Sequence, residues 1–179
     1  MYNNFCKKLQ SEYGADIAKW SKAYNIPQEY FAGIIAVENT SLKPTASRLE
    51  PFVYSAIVSA VNGKQNKNFP GFLSKSQYLK TLDESSLKKL ASSWGLGQIM
   101  GYYTLYSDFN FTLSDLINPS KQIEIIATFA NRSKKWVVTF EHLMRWWNTG
   151  SIHGKTYNSN YVKNATLAKD TYRKLIEGI

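Results

Sequence analysis

The chain has 179 residues, 44% of them hydrophobic and 15% aromatic, which excludes a disordered polymer and fits one well-buried core. Its 22 basic against 13 acidic residues give a formal net charge of +9, which favours a polyanionic partner such as nucleic acid, an anionic membrane or a charged cell wall. No apolar run approaches the roughly 20 residues that a membrane-spanning helix needs, and MYNNFCKKLQ lacks the apolar core of a secretory signal. The lone Cys6 forms no internal disulfide, and His142 and His153 are two scattered histidines that read as incidental. The expectation is therefore no metal site and no cofactor.

In chain order, helical periodicity starts with a segment from about Phe5 to Lys22 that stops before Asn25-Ile26-Pro27. A second helix, opened by Pro27, carries the run YFAGIIAVE from Tyr30 to Glu38. Beyond Pro44 and Pro51 a third runs from about Phe52 to Val61, and the polar stretch Asn62 to Gly71 closes it as a loop, with a short β-hairpin allowed for around residues 62–72. Ser74 to Ser92 reads as an amphipathic helix, and Ser92 and Ser93 as caps of a further helix starting near Trp94. Pro119 opens the next helix, with Ile123, Ile126, Ala127 and Ala130 as its inward stripe, up to about Val137. Glu141 to Trp147 continues helically, and Gly150 to Gly154 is a loop. A final helix from about Ser159 to Ile176 turns Tyr161, Ala165, Ala168, Tyr172 and Leu175 inward. The whole chain, 1–179, reads as a single mainly α domain. The basic residues are spread through several of these segments and line solvated helix faces, with no long basic arm.

The second helix poses a chemical question. Glu38 follows Phe31, Ile34 and Ile35 at spacings of seven, four and three, which puts one carboxylate on an apolar face. Desolvation there disfavours the charged form and makes Glu38 a proton donor near neutral pH. The other reading is that the helix ends at Val37 or Glu38 and the acid points into water, as most lone acids do.

Three further segments set polar residues beside glycine or aromatic ones: Arg48-Leu49-Glu50-Pro51, then Ser93-Trp94-Gly95-Leu96-Gly97-Gln98-Ile99-Met100, then Trp146-Trp147-Asn148-Thr149-Gly150. A carbohydrate site combines aromatic platforms for sugar rings with amides for their hydroxyls, which Trp147, Asn148 and Gln98 can supply. Taken singly, glycines more often mark turns and paired tryptophans more often fill core. In order, however, a Glu closing an apolar helix, R-[YFL]-E-P, S-x-G-L-x-Q-[IV]-M, [YW]-N-x-G and a Tyr-Val pair in the last helix resemble a lytic transglycosylase. The likeness is to the goose-lysozyme-like branch with an SLT-type catalytic domain, as found in phage and bacterial cell-wall enzymes. It covers roughly Pro27 to Val162, and GLGQIM is its most specific part.

The resemblance implies a lysozyme-like fold in which Glu38 is both catalytic acid and base. Gln98, Met100, Trp147, Asn148 and Tyr161 then border the substrate groove. Asn39-Thr40-Ser41 stands where the family usually has Ser after its Glu, Gly97 replaces a common Met, and Trp147 a common Tyr. The implied substrate is the peptidoglycan glycan strand, cut between N-acetylmuramic acid and N-acetylglucosamine to leave a 1,6-anhydro product. Glu50 is the candidate second carboxylate of a hydrolytic muramidase, or else an ion-pair partner of Arg48. A rival of another class is a non-enzymatic module that binds cell wall or nucleic acid, although no nucleic-acid motif is present. The expected partner is peptidoglycan on an anionic wall surface, met by a monomer made in the cytoplasm and delivered by a virion, a lysis system or other export. A phage origin is the favoured source.

Overall fold

In the computed structural model, which describes residues 2–135 and 137–179, the chain is mainly helical, as its periodicity predicts. Among those residues the helices are α1 (Asn3–Tyr24), α2 (Gln28–Glu38), α3 (Pro51–Val61), α4 (Ser76–Leu79), α5 (Glu84–Leu90), α6 (Pro119–Ser133), α7 (Phe140–Thr149) and α8 (Tyr161–Glu177). Three short strands, β1 (Ser47–Leu49), β2 (Ser92–Trp94) and β3 (Ile99–Met100), form one antiparallel sheet in that order. The chain divides into two compact units: Met1–Lys43 with Pro119–Ile179, and the intervening Pro44–Asn118.

In the first unit, α1 buries Cys6, Leu9, Tyr13 and Ile17, one residue per turn of a single stripe. It stops at Asn25, whose left-handed φ of 50° turns the chain so that the Ile26 amide returns to the Ser21 carbonyl at 3.0 Å. Pro27 then caps α2, and every residue from Phe31 to Ala36 is buried, so this helix has no solvated side over that run. Its closest neighbour is α8. A Cβ added at Gly33 would lie 2.9 Å from the Ala165 carbonyl oxygen and closer still to the Phe140 ring. The absence of a side chain at Gly33 is therefore what allows α2 to lie against α8. The stripe expected on α6 is buried as read, and Cys6 Sγ donates to the Ala168 carbonyl at 3.6 Å, tying α1 to α8. The expected end of α6 near Val137 includes Trp136, which lies outside the described residues; the helix itself ends at Ser133.

The second unit packs Val53, Ile57, Phe72, Leu79, Leu87 and Leu90 into its own core. Here three expectations are corrected. Residues 62–72 hold no β-hairpin: Gly63 (φ 72°) and the Asn66 side chain, which accepts the Asn68 amide at 2.9 Å, make local turns, and Pro70 starts a 3₁₀ helix. Ser74 to Ser92 is not one helix either. The Asp83 carboxylate accepts the Ser86 amide at 2.7 Å and starts α5 afresh, so the backbone is interrupted between α4 and α5. Finally, the segment near Trp94 is a strand pair and not a helix. Gly95 (φ 74°) and Gln98 (φ 47°) both take left-handed conformations, which reverse the chain and set Ser93 opposite Met100 and Trp94 opposite Ile99.

Gly33→Ala should lower the unfolding free energy by about 1–3 kcal/mol, the usual cost of overpacking a filled core. Urea denaturation of the purified variant measures it, and an unchanged midpoint would show that the α2 and α8 backbones can separate freely.

Candidate functional site

Glu38 is the last residue of α2 and is partly buried. The helix does end at Glu38, as the simpler sequence reading allowed, yet its carboxylate accepts a hydrogen bond from the hydroxyl of Tyr161, a residue 123 positions away. Tyr161 is the first residue of α8 and only 6% exposed. Burial, then the charge of Glu38, then the hydrogen bond to it push the Tyr161 hydroxyl far above its ordinary value. That hydroxyl therefore keeps its proton under ordinary conditions and serves as a fixed donor to the acid.

The chain leaves Glu38 through a turn built by Asn39, which is itself only 6% exposed. Asn39 Nδ2 donates to the Lys43 carbonyl at 2.8 Å, and its Oδ1 accepts from the Ser41 hydroxyl at 2.7 Å. An Asn side chain folded onto the backbone that follows it is a compact way to fix such a turn. In the sequence, Asn39-Thr40-Ser41 stands out as a departure from the pattern the chain resembles, and its Asx-turn composition is the local signal for this structural role.

Trp147 and Asn148 lie on α7 in the same unit. The Trp147 ring sits 6.0 Å from that of Phe129 on α6 and 6.3 Å from that of Trp146. Asn148 Oδ1 accepts the amide of Tyr157 at 3.3 Å, which ties the end of α7 to the loop before α8. Gly150, at φ 74°, terminates α7 by returning its amide to the Trp146 carbonyl at 2.7 Å.

The other three candidates belong to the Pro44–Asn118 unit. Glu50 Oε1 accepts from both Arg48 Nε and Arg48 Nη2, each at 2.7 Å, in a pair open to solvent on the arginine side. Gln98 is turned into its own hairpin: Oε1 accepts from the Ser93 hydroxyl at 2.9 Å, and Nε2 donates to the Gly95 carbonyl at 2.9 Å and the Ala46 carbonyl at 3.5 Å. Both amide protons are thereby engaged, which leaves the side chain one acceptor lone pair. Met100 is half-buried against the core of that unit.

The turn that ends α7 brings about one further pairing. His142 and His153 meet edge to face with ring centroids 6.2 Å apart, and His142 Nδ1 is buried without a hydrogen-bond partner. Among the described residues no group of three or more His, Cys, Asp or Glu side chains is placed to hold a metal ion. No protein-family model, curated protein sequence or solved structure matches the chain, so the functional reading rests on its residues.

The buried donor has a consequence for pH. Above the ordinary tyrosine value of 10.0 the unfolded chain releases the Tyr161 proton while the folded chain keeps it, so stability falls as pH rises through that range. Tyr161→Phe should cost about 1–3 kcal/mol at pH 8, for a lost hydrogen bond to a charged group. Its stability should then fall less steeply at alkaline pH than the parent's, by up to about 1.4 kcal/mol per pH unit. Denaturant titrations from pH 8 to 11 test this, and parallel alkaline limbs for the two proteins would contradict it.

Proposed function

We propose that the protein is a peptidoglycan lytic transglycosylase with a lysozyme-like catalytic fold and Glu38 as its acid and base. The observation that carries the reading is the Glu38–Tyr161 pair: a partly buried carboxyl closing an apolar helix, held by a hydroxyl that stays protonated. The ordered motifs RLEP, GLGQIM and WWNTG supply the substrate class by their resemblance to that family. In the first step Glu38 gives its proton to the glycosidic oxygen between N-acetylmuramic acid and N-acetylglucosamine, and the C1–O4 bond breaks. The acetamido group of the substrate steadies the positive centre at C1. Glu38, now a carboxylate with Tyr161 donating to it, then takes the proton of the muramic 6-hydroxyl as O6 bonds to C1. The 1,6-anhydro ring closes, the acid is regenerated and no water is consumed.

A hydrolytic muramidase would need a second carboxylate to direct water, and Glu50 is the sequence's candidate. Its engagement by Arg48 supports a structural role for Glu50 in the loop leading into α3. The net charge of +9 favours accumulation on anionic walls whichever chemistry operates. No helix among the described residues is long and apolar enough to cross a membrane. Delivery by a virion, a lysis system or other export, with phage as the favoured source, completes the reading.

Digestion of purified peptidoglycan followed by mass spectrometry of the products tests the proposal. The parent should release anhydro-muramoyl ends, one water lighter than reducing ends. Glu38→Gln should lose at least about a hundredfold in rate with an unchanged circular dichroism spectrum. Glu50→Gln should keep most of the activity. Reducing ends together with an inactive Glu50→Gln would select the muramidase instead, and undiminished lysis by Glu38→Gln would remove both enzyme readings.

A further inference from the structure

The Pro44–Asn118 unit contains a cavity of about 500 Å³, within the size range of small-molecule sites. Leu82, Leu90, Leu105, Phe111 and Leu113 give it a mainly apolar wall, and Lys75 shares the lining. The other polar residues of the wall are Tyr78, Ser86, Thr104 and Thr112, and the two threonine hydroxyls are committed within the fold. Thr104 Oγ1 donates to the Gly101 carbonyl at 2.8 Å, Thr112 Oγ1 donates to Asp115 at 2.8 Å, and the Ser86 amide caps onto Asp83 at 2.7 Å. Lys75 differs from them. It is half-buried, forms no ion pair with a described carboxylate, and has as its neighbour the Tyr106 ring, 5.9 Å from its ammonium. A lysine that shares an apolar lining can give an anion a charge-assisted hydrogen bond while the lining buries an apolar chain.

We infer that this cavity binds a free amphiphilic carboxylate of the medium-chain fatty-acid class, its chain among Leu82, Leu90, Leu105, Phe111 and Leu113 and its carboxylate on Lys75. The inference is independent of Glu38, since every residue it uses lies in the Pro44–Asn118 unit. Concavity favours a single soluble molecule over a bilayer surface. Of the candidate anions, a carboxylate with an apolar chain fits both halves of the site, whereas a bare inorganic anion leaves the apolar wall uncovered.

Calorimetric titration with octanoate and with octan-1-ol, both well below any aggregation limit, separates charge from chain. Octanoate should bind about tenfold more tightly than octanol, the increment expected of one charge-assisted hydrogen bond. Lys75→Met, which keeps an apolar stem of similar length, should reduce octanoate to the affinity of octanol and leave octanol unchanged. Lys75→Arg should retain the preference. Leu82→Trp, which fills the cavity from a half-buried position, should weaken both ligands while peptidoglycan digestion and circular dichroism remain as in the parent. The inference is overturned if octanoate shows no binding at millimolar concentration, if Lys75→Met leaves its preference over octanol intact, or if folded Leu82→Trp binds both ligands as the parent does.

Discussion

The contact on which the candidate site depends is the close approach of α2 to α8 at Gly33. Two pairings, Gly33 with Ala165 and Glu38 with Tyr161, fix how the helices run. Moving five residues forward along α2 matches moving four residues backward along α8, about 7.5 Å against about 6 Å at 1.5 Å per residue. The helices are therefore antiparallel neighbours in near register, and the carboxyl end of one meets the amino end of the other. A side chain at residue 33 would force the two backbones apart and draw Tyr161 away from Glu38. The chemistry proposed at residue 38 thus rests on a hydrogen atom in place of a side chain five residues earlier.

That antiparallel meeting also balances charge. Glu38 stands at the carbonyl end of α2, where the helix dipole opposes a negative charge, and beside the amide end of α8, where the dipole favours one. Partial burial opposes the charge again, and the Tyr161 hydroxyl supports it. These opposing influences meet at the one carboxyl for which the proposed chemistry asks a proton in one step and a charge in the next. Tyr161 contributes to both only because its own proton is immobile; a tyrosine that ionised readily beside Glu38 would add repulsion in place of a donor. The short turn braced by Asn39 follows immediately on the exit side of the acid.

The long helices were legible in the sequence because each carries a stripe that repeats over several turns. Residues 5–22 and the stripe from Ile123 to Ala130 fall within α1 and α6, and the inward residues Ala165, Ala168 and Tyr172 were read correctly on α8. The second unit resisted the same approach because its elements are too short for a period to establish itself. α4 has four residues, α5 seven and β3 two, and their limits are set by single groups such as the Asp83 cap and the left-handed backbone at Gly95 and Gln98. Glu38 was legible from its apolar helix and Tyr161 from its place in the motif order, while their hydrogen bond spans the sequence and leaves no local trace. The contact between His142 and His153 was missed because the two lie on opposite sides of the turn that ends α7.

Gln98 bears on how the motif itself should be read. Its type and position suggested an amide offered to a sugar, yet both of its amide protons are engaged by carbonyls of its own unit and its oxygen by Ser93. Glu50, the other polar residue of the ordered motifs in that unit, is likewise held by Arg48. In SWGLGQIM the glycine and glutamine adopt the two left-handed conformations that close the β2–β3 turn, and the serine braces it. Such a segment is constrained mainly by the backbone it must build. The chemical weight of the motif series then falls on the residue with the least conventional setting, a carboxyl partly removed from water at the end of an apolar helix. Surrounding residues contribute by holding that helix end, through the Asn39 turn on one side and the Tyr161 donor on the other.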